Sequence, residues 1–472
     1  MRDELESFLA SLERELPDDF DEDTPLISSG CLDSVALFNL VHWIESKIGA
    51  SVDPSAVDIG RGWDSMRLIV EFIEKRQDRT DNDQGPTKPQ ARRATGLRVV
   101  RYSAGLEDAI VDLQTGLWSP SRELNGRYFD WKYRRNPYAR EPDLYLAFDG
   151  PELVGMRGFY PSRWQVGQPG GFEDVLVADD LVVREDRRNE GVVTQIMETA
   201  LDDLRRRGAE YVFNLSGGHL TVLGSLAMGW RSAGHLKSVG RSSRSHAVIA
   251  ALRQRLAALP LVWKYRSSSV LSTPQERNPF ARLDGASRFA SRRSGVVVDI
   301  SAELRAKDMA ALVTSLPYDG RLRHVRDETY LAWRYGNPLN EYRFFYAGSG
   351  ALRGYLVAKR TRPVFGPTPR VQIVDWEAAD ERCLEALLEA AISAGAFPEI
   401  VTWAATRSPT VTDLLARNGF EPIDPGLAVR GYPCVLVRAC DPSTPPDDWL
   451  LGGMSLLNLG NWDMRMIYSM AG

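Results

Sequence analysis

The 472-residue sequence has no run of about 18 consecutive apolar residues, so no membrane-spanning helix is expected. Its first residues are acidic and amphipathic and lack the basic start and apolar core of a signal peptide. Cysteine is scarce, and its four residues (Cys31, Cys383, Cys434 and Cys440) follow no metal-ligand spacing. These absences argue against a disulfide-built scaffold and a cysteine metal centre. They predict a cytoplasmic protein with reduced thiols and no bound metal.

An excess of positive charge is also missing, because the chain carries 63 Asp and Glu residues against 58 Lys and Arg. The acidic excess lies in residues 1–76, which hold 17 acidic and 7 basic residues, while the remainder holds 46 and 51. An acidic head would be repelled by phosphates, so no nucleic-acid partner is predicted. The opposite charges of the two parts favour their mutual attraction.

A chain of this length exceeds what one hydrophobic core serves, so several domains are expected. Residues 77–96 contain no Val, Ile, Leu, Met or aromatic residue and cannot bury enough apolar surface to fold. We assign 77–97 as a flexible linker, whose root-mean-square reach is about 25 Å. The linker separates a predicted domain at 1–76 from a longer part that follows.

The segment before the linker has helical periodicity. Apolar residues at positions 37, 40, 41, 44 and 48 fall on one face of a helix. A second such face starts at Met66, after the capping candidates Asp64 and Ser65. This pattern predicts an all-α bundle of three or four helices.

Strand-like and helix-like segments alternate after the linker, which predicts α/β domains around mixed sheets. An internal repeat indicates two such domains, because YFDWKYRRNP at 128–137 matches YLAWRYGNP at 330–338. Each copy precedes strands and later a long helix. We therefore predict α/β domains at 98–240 and 296–440, and a tail at 441–472 that packs back on a domain.

Residues 241–295 connect the two predicted α/β domains and are basic, with 11 Lys and Arg against Glu276 and Asp284. Within them, AVIAALRQRLAALPLVWKY has the pattern of a basic amphipathic helix. A solvated helix that bridges the domains and a docking surface both fit this pattern. A peripheral membrane contact through 247–265 also stays open.

Ser34 follows Asp33 at the predicted start of a helix, in TPLISSGCLDSVALFNLVHWIESKIG. A phosphodiester on its hydroxyl would lie at the positive end of the helix dipole, although such a pair also serves as an ordinary helix cap. The stretch from Thr24 to Gly49, with Gly-Trp-Asp-Ser-Met at 62–66, resembles an acyl carrier protein over residues 1–76. The resemblance implies a four-helix bundle with a covalent 4′-phosphopantetheine arm on Ser34, attached by a phosphopantetheinyl transferase.

The segment LVVREDRRNEGVVTQIMETALDDL at 181–204 predicts a strand, a short loop and a helix. Backbone N–H groups at such a helix start can bind a pyrophosphate, although a plain strand-turn-helix connection has the same pattern. The segment resembles the phosphate loop of the GNAT acyltransferases. The family's motif maps onto Val183, Arg188, Asn189, Glu190, Gly191, Val192 and Val193. The resemblance implies that these residues bind coenzyme A or the phosphopantetheine arm of an acylated carrier.

The resemblance also implies a catalytic base on the strand before the loop, where Asp179 and Asp180 are the acids available. A solvated pair of acids is the alternative interpretation. Ser225 stands where the family often has a tyrosine as general acid. In the second copy, Asp380 and Glu381 stand where the phosphate loop should be, so that copy is predicted to be degenerate and to complete the substrate cleft or stabilise the first copy.

Together, the two resemblances predict an N-acyltransferase of a specialised biosynthetic pathway that acts on a thioester held on Ser34. Either the arm delivers an acyl group to a small-molecule amine, or an aminoacyl group on the arm is acylated from acyl-CoA. Both versions need an acyl- or aminoacyl-carrier ligase as partner. A GNAT-like decarboxylase of a carrier-bound malonyl group and a non-catalytic carrier or scaffold protein remain alternatives.

Overall fold

The structure of the chain is a computed structural model. It describes residues 1–10, 20–24, 26, 34–49, 63–80, 96–168, 170–187, 190–217, 222, 225–226, 228–243, 280, 283, 287–348, 350–361, 371–395, 397–423 and 433–470. Only the backbone is described for residues 34–39, 42, 77–80, 216–217 and 361. The predicted site residues Arg188 and Asn189 and the predicted helix at 247–265 lie outside the described residues.

The part before the linker is helical, with α1 (Arg2–Ala10), α2 (Ser34–Ile48) and α3 (Met66–Thr80). The helix α2 begins at Ser34, and the predicted cap Ser65 accepts a hydrogen bond from the backbone N–H of Leu68. The three helices share one apolar core, to which each contributes fully buried side chains: Leu5, Leu40, Ile44, Ile69 and Ile73. The fourth helix of the predicted carrier bundle falls outside the described residues, and α3 continues to Thr80, into the predicted linker.

The remaining part is built from strands and helices in alternation. The helices are α4 (Glu107–Leu113), α5 (Arg122–Phe129), α6 (Val192–Arg206), α7 (Ala306–Ser315), α8 (Glu328–Arg334), α9 (Glu381–Gly395) and α10 (Pro409–Arg417). The strands are β1 (Leu97–Arg101), β2 (Asp143–Asp149), β3 (Glu152–Gln165), β4 (Phe172–Val183), β5 (Tyr211–Gly217), β6 (Arg231–His235), β7 (Ser238–Ser242), β8 (Ser287–Ala290), β9 (Val297–Ser301), β10 (Arg323–His324), β11 (Asn340–Ala347), β12 (Gly354–Thr361), β13 (Val371–Ala378), β14 (Glu399–Trp403), β15 (Glu421–Pro422), β16 (Cys434–Ala439), β17 (Leu450–Leu451) and β18 (Met454–Ser455).

Two mixed sheets organise these strands, as the alternating pattern predicts. The first sheet has the order β1-β2-β3-β4-β5-β16-β6, with β10 paired to β3, and the second has the order β15-β7-β14-β13-β12-β11-β9-β8. Pairing is parallel between β4 and β5 and between β13 and β14, and antiparallel elsewhere in both sheets. The helix α6 packs on one face of the first sheet, and α4 and α5 pack on the other. The helix α9 packs on the second sheet in the same way.

The two sheets exchange a strand. The strand β7 follows the first half of the chain but lies between β14 and β15, and β16 ends the second half but lies between β5 and β6. The predicted boundaries 98–240 and 296–440 gave each domain its own strands, and the exchanged strands β7 and β16 join the sheet of the other unit. The exchange also extends the second sheet into the predicted connecting segment 241–295, which supplies the end of β7 and all of β8. Both exchanged strands pair along both edges, so their backbone groups are satisfied.

The largest apolar core lies between the two sheets and includes side chains of both. The segment after residue 440 packs into it through Trp449, Trp462 and Tyr468, each of which is 2% exposed or less. Phe213 of the first sheet contacts Trp462 edge to face at a centroid distance of 4.9 Å. The tail therefore joins the two α/β units to each other. No helix of the described residues is long and apolar enough to cross a bilayer.

Candidate functional site

The strand β4 carries a β-bulge near its end. Met156 and Gly158 on β3 pair with Val182 and Asp179 on β4. The paired residues are two positions apart on β3 but three positions apart on β4, so β4 contains one extra residue. Within the bulge, Asp180 has φ 49°, the one positive φ of a non-glycine residue in the described part of the chain. The bulge directs the side chains of Asp179 and Asp180 to the same face of the sheet.

The bulge lies beside an opening in the sheet. The parallel pairing of β4 and β5 is confined to Leu176 with Val212 and Val177 with Phe213, after which β5 pairs with β16 alone. Backbone groups of β4 beyond Val177 are therefore free of β5. The strands β4 and β5 therefore part beside the bulge.

A buried lysine holds both carboxylates at the bulge. Lys132, fully buried in a π-helical turn that follows α5, places Nζ 2.8 Å from Asp179 Oδ2 and 2.7 Å from Asp180 Oδ1. Four aromatic rings surround its ammonium at centroid distances of 5.2–5.5 Å: Trp118, Tyr128, Tyr133 and Tyr160. Ring faces and two carboxylates compensate the buried charge.

The carboxylate of Asp180 has no hydrogen-bond acceptor position left for a substrate. Besides Lys132, its carboxylate accepts hydrogen bonds from Trp118 Nε1 at 2.8 Å, Gln114 Nε2 at 3.3 Å and the Tyr133 hydroxyl at 2.6 Å. Burial raises the pKa of Asp180 above the usual value of an aspartate, and the Lys132 ammonium opposes this increase. The Tyr133 contact requires Gly158, because a Cβ there would lie 1.8 Å from the Tyr133 hydroxyl. Asp180 is thus part of the scaffold.

Asp179 differs from its neighbour in exposure. Its side chain is 27% exposed, against 0% for Asp180, and Lys132 is its one hydrogen-bond donor among the described residues. The carboxylate is therefore held at one oxygen and accessible at the bulge. A carboxylate so placed can accept a proton from a bound amine.

The predicted phosphate loop connects β4 to α6 through residues 184–191. Gly191 is the N-cap of α6 with φ 76°, no side chain caps the helix within the described residues, and its first turn contains no acid. Among the described residues, a Cβ on Gly191 would meet nothing within 4 Å, so this part of the backbone has room for a ligand. The geometry suits a pyrophosphate at the helix N-terminus.

The other predicted loop residues divide into packing and surface groups. Val192 packs in the apolar core beneath α6, and Val183 and Val193 are partly buried and pack against it. Arg187 is paired with Asp149 and with Glu190, so Glu190 is neutralised within the loop. The ligand contacts available to the described part of the loop are therefore backbone N–H groups.

The second α/β unit lacks an equivalent opening. Its β13 and β14 also pair over only two residues, but the backbone N–H of Met464 in the tail donates to Thr406 there, and Arg465 donates to the Trp376 carbonyl at 2.7 Å. At the start of α9, Asp380 accepts a hydrogen bond from the backbone N–H of Cys383. A carboxylate cap stands where the first unit has an open N-terminus.

Lys132 is the site residue that sequence reasoning missed. It lies in the first copy of the internal repeat, and Arg334 takes its place in the second. Arg334 is also buried, but it donates to the tail carbonyls of Ile467 and Ser469 at 2.7 and 2.6 Å. The presence of a basic residue at this position in both copies of the repeat was the signal that could have identified Lys132.

Structural comparison finds solved structures to which the chain is similar. The chain resembles a conserved protein of unknown function from Enterococcus faecalis V583, described as a probable N-acyltransferase, at 11% identity and TM-score 0.47, with 73% of each chain covered. It also resembles a tandem GNAT protein from the clavulanic acid biosynthesis pathway at 16% identity and TM-score 0.44, covering 74% of this chain and 100% of that one. A search of curated proteins gives no match.

A family model supplies the assignment. Residues 101–217 match the acetyltransferase (GNAT) domain. The match spans β2 to β5, the bulge with Asp179, and the loop that leads to α6. The chain therefore contains a GNAT acetyltransferase domain and is an acyltransferase.

Proposed function

We propose that the chain is an N-acyltransferase that uses a thioester carried on the phosphopantetheine arm of Ser34. The first α/β unit joins this acyl group to a small-molecule amine, or acylates an aminoacyl group on the arm from acyl-CoA. The observation that carries the proposal is the partly exposed carboxylate of Asp179, held by buried Lys132 at the bulge beside the opening between β4 and β5.

The chemistry required of the site is a proton transfer. The amine nitrogen attacks the thioester carbonyl, so that a C–N bond forms, the C–S bond breaks, and the sulfur leaves as a thiol. Asp179 accepts the proton that the nitrogen loses, and solvent returns a proton to the sulfur. Lys132 holds the carboxylate in place through the contact of 2.8 Å to Oδ2, which leaves Oδ1 for the amine.

The carrier assignment is supported by the start of α2. The helix begins at Ser34, so a phosphate on that residue would lie beside the backbone N–H groups of the first turn. A phosphopantetheinyl transferase and a carrier ligase would load the arm. The acidic excess of residues 1–76 favours docking on the basic remainder, and the tether raises the local donor concentration to about millimolar.

Intact mass tests the carrier assignment. The full chain, produced with a promiscuous phosphopantetheinyl transferase, is expected to gain the mass of one 4′-phosphopantetheine, and Ser34→Ala is expected to gain none. Ser46→Ala, on the same helix and exposed, is the matched control and should be modified like the unchanged chain. An unmodified chain would contradict the carrier assignment and leave a transferase that takes free acyl-CoA.

A further inference from the structure

Arg157 is a buried cation without a hydrogen-bond partner. The residue is 4% exposed, and its guanidinium donates to no atom of the described residues. Its Nε is fully enclosed, whereas Nη1 and Nη2 are not among the enclosed atoms that lack a partner, so the Nη end keeps some exposure. Burial lowers the pKa of Arg157 from the usual arginine value, and the charges of Asp179 and Asp180 offset part of this effect. An unpaired buried guanidinium is costly unless a ligand completes it.

Other buried arginines of the chain are paired within the fold. Arg326 contacts Asp375 at 2.8 Å, and Arg465 contacts Asp463 at 3.1 Å. Asp179 and Asp180 are the carboxylates whose charges act on Arg157, but both are bound by Lys132 instead. Among the described residues, Arg157 therefore differs from the buried Arg326 and Arg465.

The register places Arg157 at the bulge, on the face opposite to Asp179. Its neighbours Met156 and Gly158 pair with Val182 and Asp179, so Arg157 stands across from the bulged residues. Its partner on β2 is Tyr145, whose hydroxyl donates to Asp203 of α6 at 2.7 Å, which identifies the face covered by α6.

The position of Arg157 along β3 separates it from the phosphate loop. Gly155 precedes it by two residues on the same face, and a Cβ on Gly155 would lie 2.8 Å from Val192, the first residue of α6. Arg157 is thus about 7 Å further along β3 than the helix start where a pyrophosphate would lie. It lies at the level of the bulge, where the proposed function places the reacting thioester.

We infer that Arg157 binds a carboxylate on the acyl group of the donor, so that the enzyme selects thioesters of dicarboxylic acids. The inference rests on the proposed function, because that function places the acyl group at the bulge. A guanidinium presents two parallel N–H donors that match a carboxylate, and Asp179 receives the amine from the other face. A phosphate of the donor is the other anion that could reach Arg157, and the experiment distinguishes the two.

Binding constants of the full chain for succinyl-CoA, acetyl-CoA and CoA, measured by calorimetry, test the inference. The unchanged protein is expected to bind succinyl-CoA roughly ten- to a hundredfold more tightly than acetyl-CoA. Arg157→Met is expected to remove that preference and leave the affinity for acetyl-CoA unchanged. Arg163→Met, on the same strand but exposed and paired with Asp174, should keep the preference.

A second readout needs no ligand. Arg157→Met removes an unpaired buried charge, so its Tm without ligand is expected to rise, whereas a structural arginine would lower Tm when removed. Equal weakening of all three ligands in Arg157→Met would overturn the inference in favour of a phosphate contact, and unchanged affinities would overturn it outright. If the unchanged protein binds none of the three and no acyl-phosphopantetheine, the proposed function fails as well.

Discussion

The indole rings of Trp131 and Trp333 stack at a centroid distance of 4.9 Å with their planes 10° apart. Each ring also donates its N–H to the main-chain carbonyl of the other residue, at 2.6 and 2.7 Å. The two residues occupy the same position in the two copies of the internal repeat. The repeat therefore forms a self-complementary contact inside one chain, like the contact across a twofold axis in a dimer.

Trp131→Phe and Trp333→Phe are each expected to lower the free energy of unfolding by about 1–3 kcal/mol. Each keeps an aromatic ring but removes one N–H donor from a buried carbonyl. Urea denaturation of the two single variants and the double variant measures the effect. A coupling of more than about 0.5 kcal/mol is expected, because one stacked pair makes both bonds. Additive losses would show that the two bonds are independent.

Asp179→Asn is expected to lower kcat by roughly a hundredfold or more. The substitution removes the proton acceptor but keeps the shape of the side chain. Steady-state kinetics, with Tm as a check on folding, measures the effect. The protein should keep its stability, because Lys132 retains Asp180 as a partner.

Asp180→Asn is the matched control for that experiment. It removes the fully buried partner of Lys132, so we expect a loss of about 3–5 kcal/mol in the free energy of unfolding. Activity should follow the folded fraction. If Asp180→Asn lowered kcat per folded molecule and Asp179→Asn did not, the roles assigned to the two carboxylates would be reversed.

Gly191→Trp is expected to abolish binding of CoA thioesters, because the indole would fill the space in front of the α6 N-terminus. The left-handed backbone makes the substitution cost about 1–2 kcal/mol of stability. Gly208→Trp provides the comparison, since Gly208 has φ 88° and equally open surroundings at the other end of α6. It should lose similar stability and keep binding in calorimetry. Equal binding by both variants would exclude the α6 N-terminus as the donor site.

Acid is expected to destabilise the contact between the two units through His324. This residue is 3% exposed and packs against Tyr330 and Tyr468, and burial lowers its pKa from 6.5 to about 3, with help from Arg326 and Arg334. The unfolded chain binds a proton below about pH 6.5 that the folded protein does not bind. Stability is therefore complete above that pH and falls by up to about 1.4 kcal/mol per pH unit below it.

Urea denaturation at pH 7.5 and pH 5 measures this effect. His324→Phe keeps an aromatic ring but cannot be protonated, so its loss of stability between the two pH values should be smaller than that of the unchanged protein. Because the hydrogen bond to the Val325 carbonyl is also lost, its stability at pH 7.5 should be lower. Parallel pH dependence in both proteins would show that other groups cause the acid sensitivity.

The local elements of the site could be predicted from the sequence. The apolar pattern before residue 183, the glycine at 191 and the helical periodicity from Val192 predict β4, the loop and α6. The choice between Asp179 and Asp180 could not be predicted, because a regular strand would direct them to opposite faces. The bulge directs both to one face, and the rings and donors gathered around Lys132 then bury only Asp180.

The strand exchange could not be predicted from the sequence either. The alternation of apolar and polar residues along a strand indicates which face of the strand is buried. This pattern is the same whichever sheet the strand joins. The apolar run of β16 fits a central strand in either unit, and β7, with sequence SVGRS, has a single large apolar residue. Which edges these strands occupy depends on contacts between residues some 200 positions apart.

The exchange sets an order of events during synthesis. The strand β5 is complete when residue 217 has been added, but its partner β16 ends at residue 439. At about 5–20 residues per second, the ribosome needs roughly 10–45 s to supply it. For that interval, the nascent chain exposes the edge of β5 that later pairs with β16. The acetyltransferase domain can therefore finish folding only when nearly all of the protein has emerged, and premature termination would yield no active fragment.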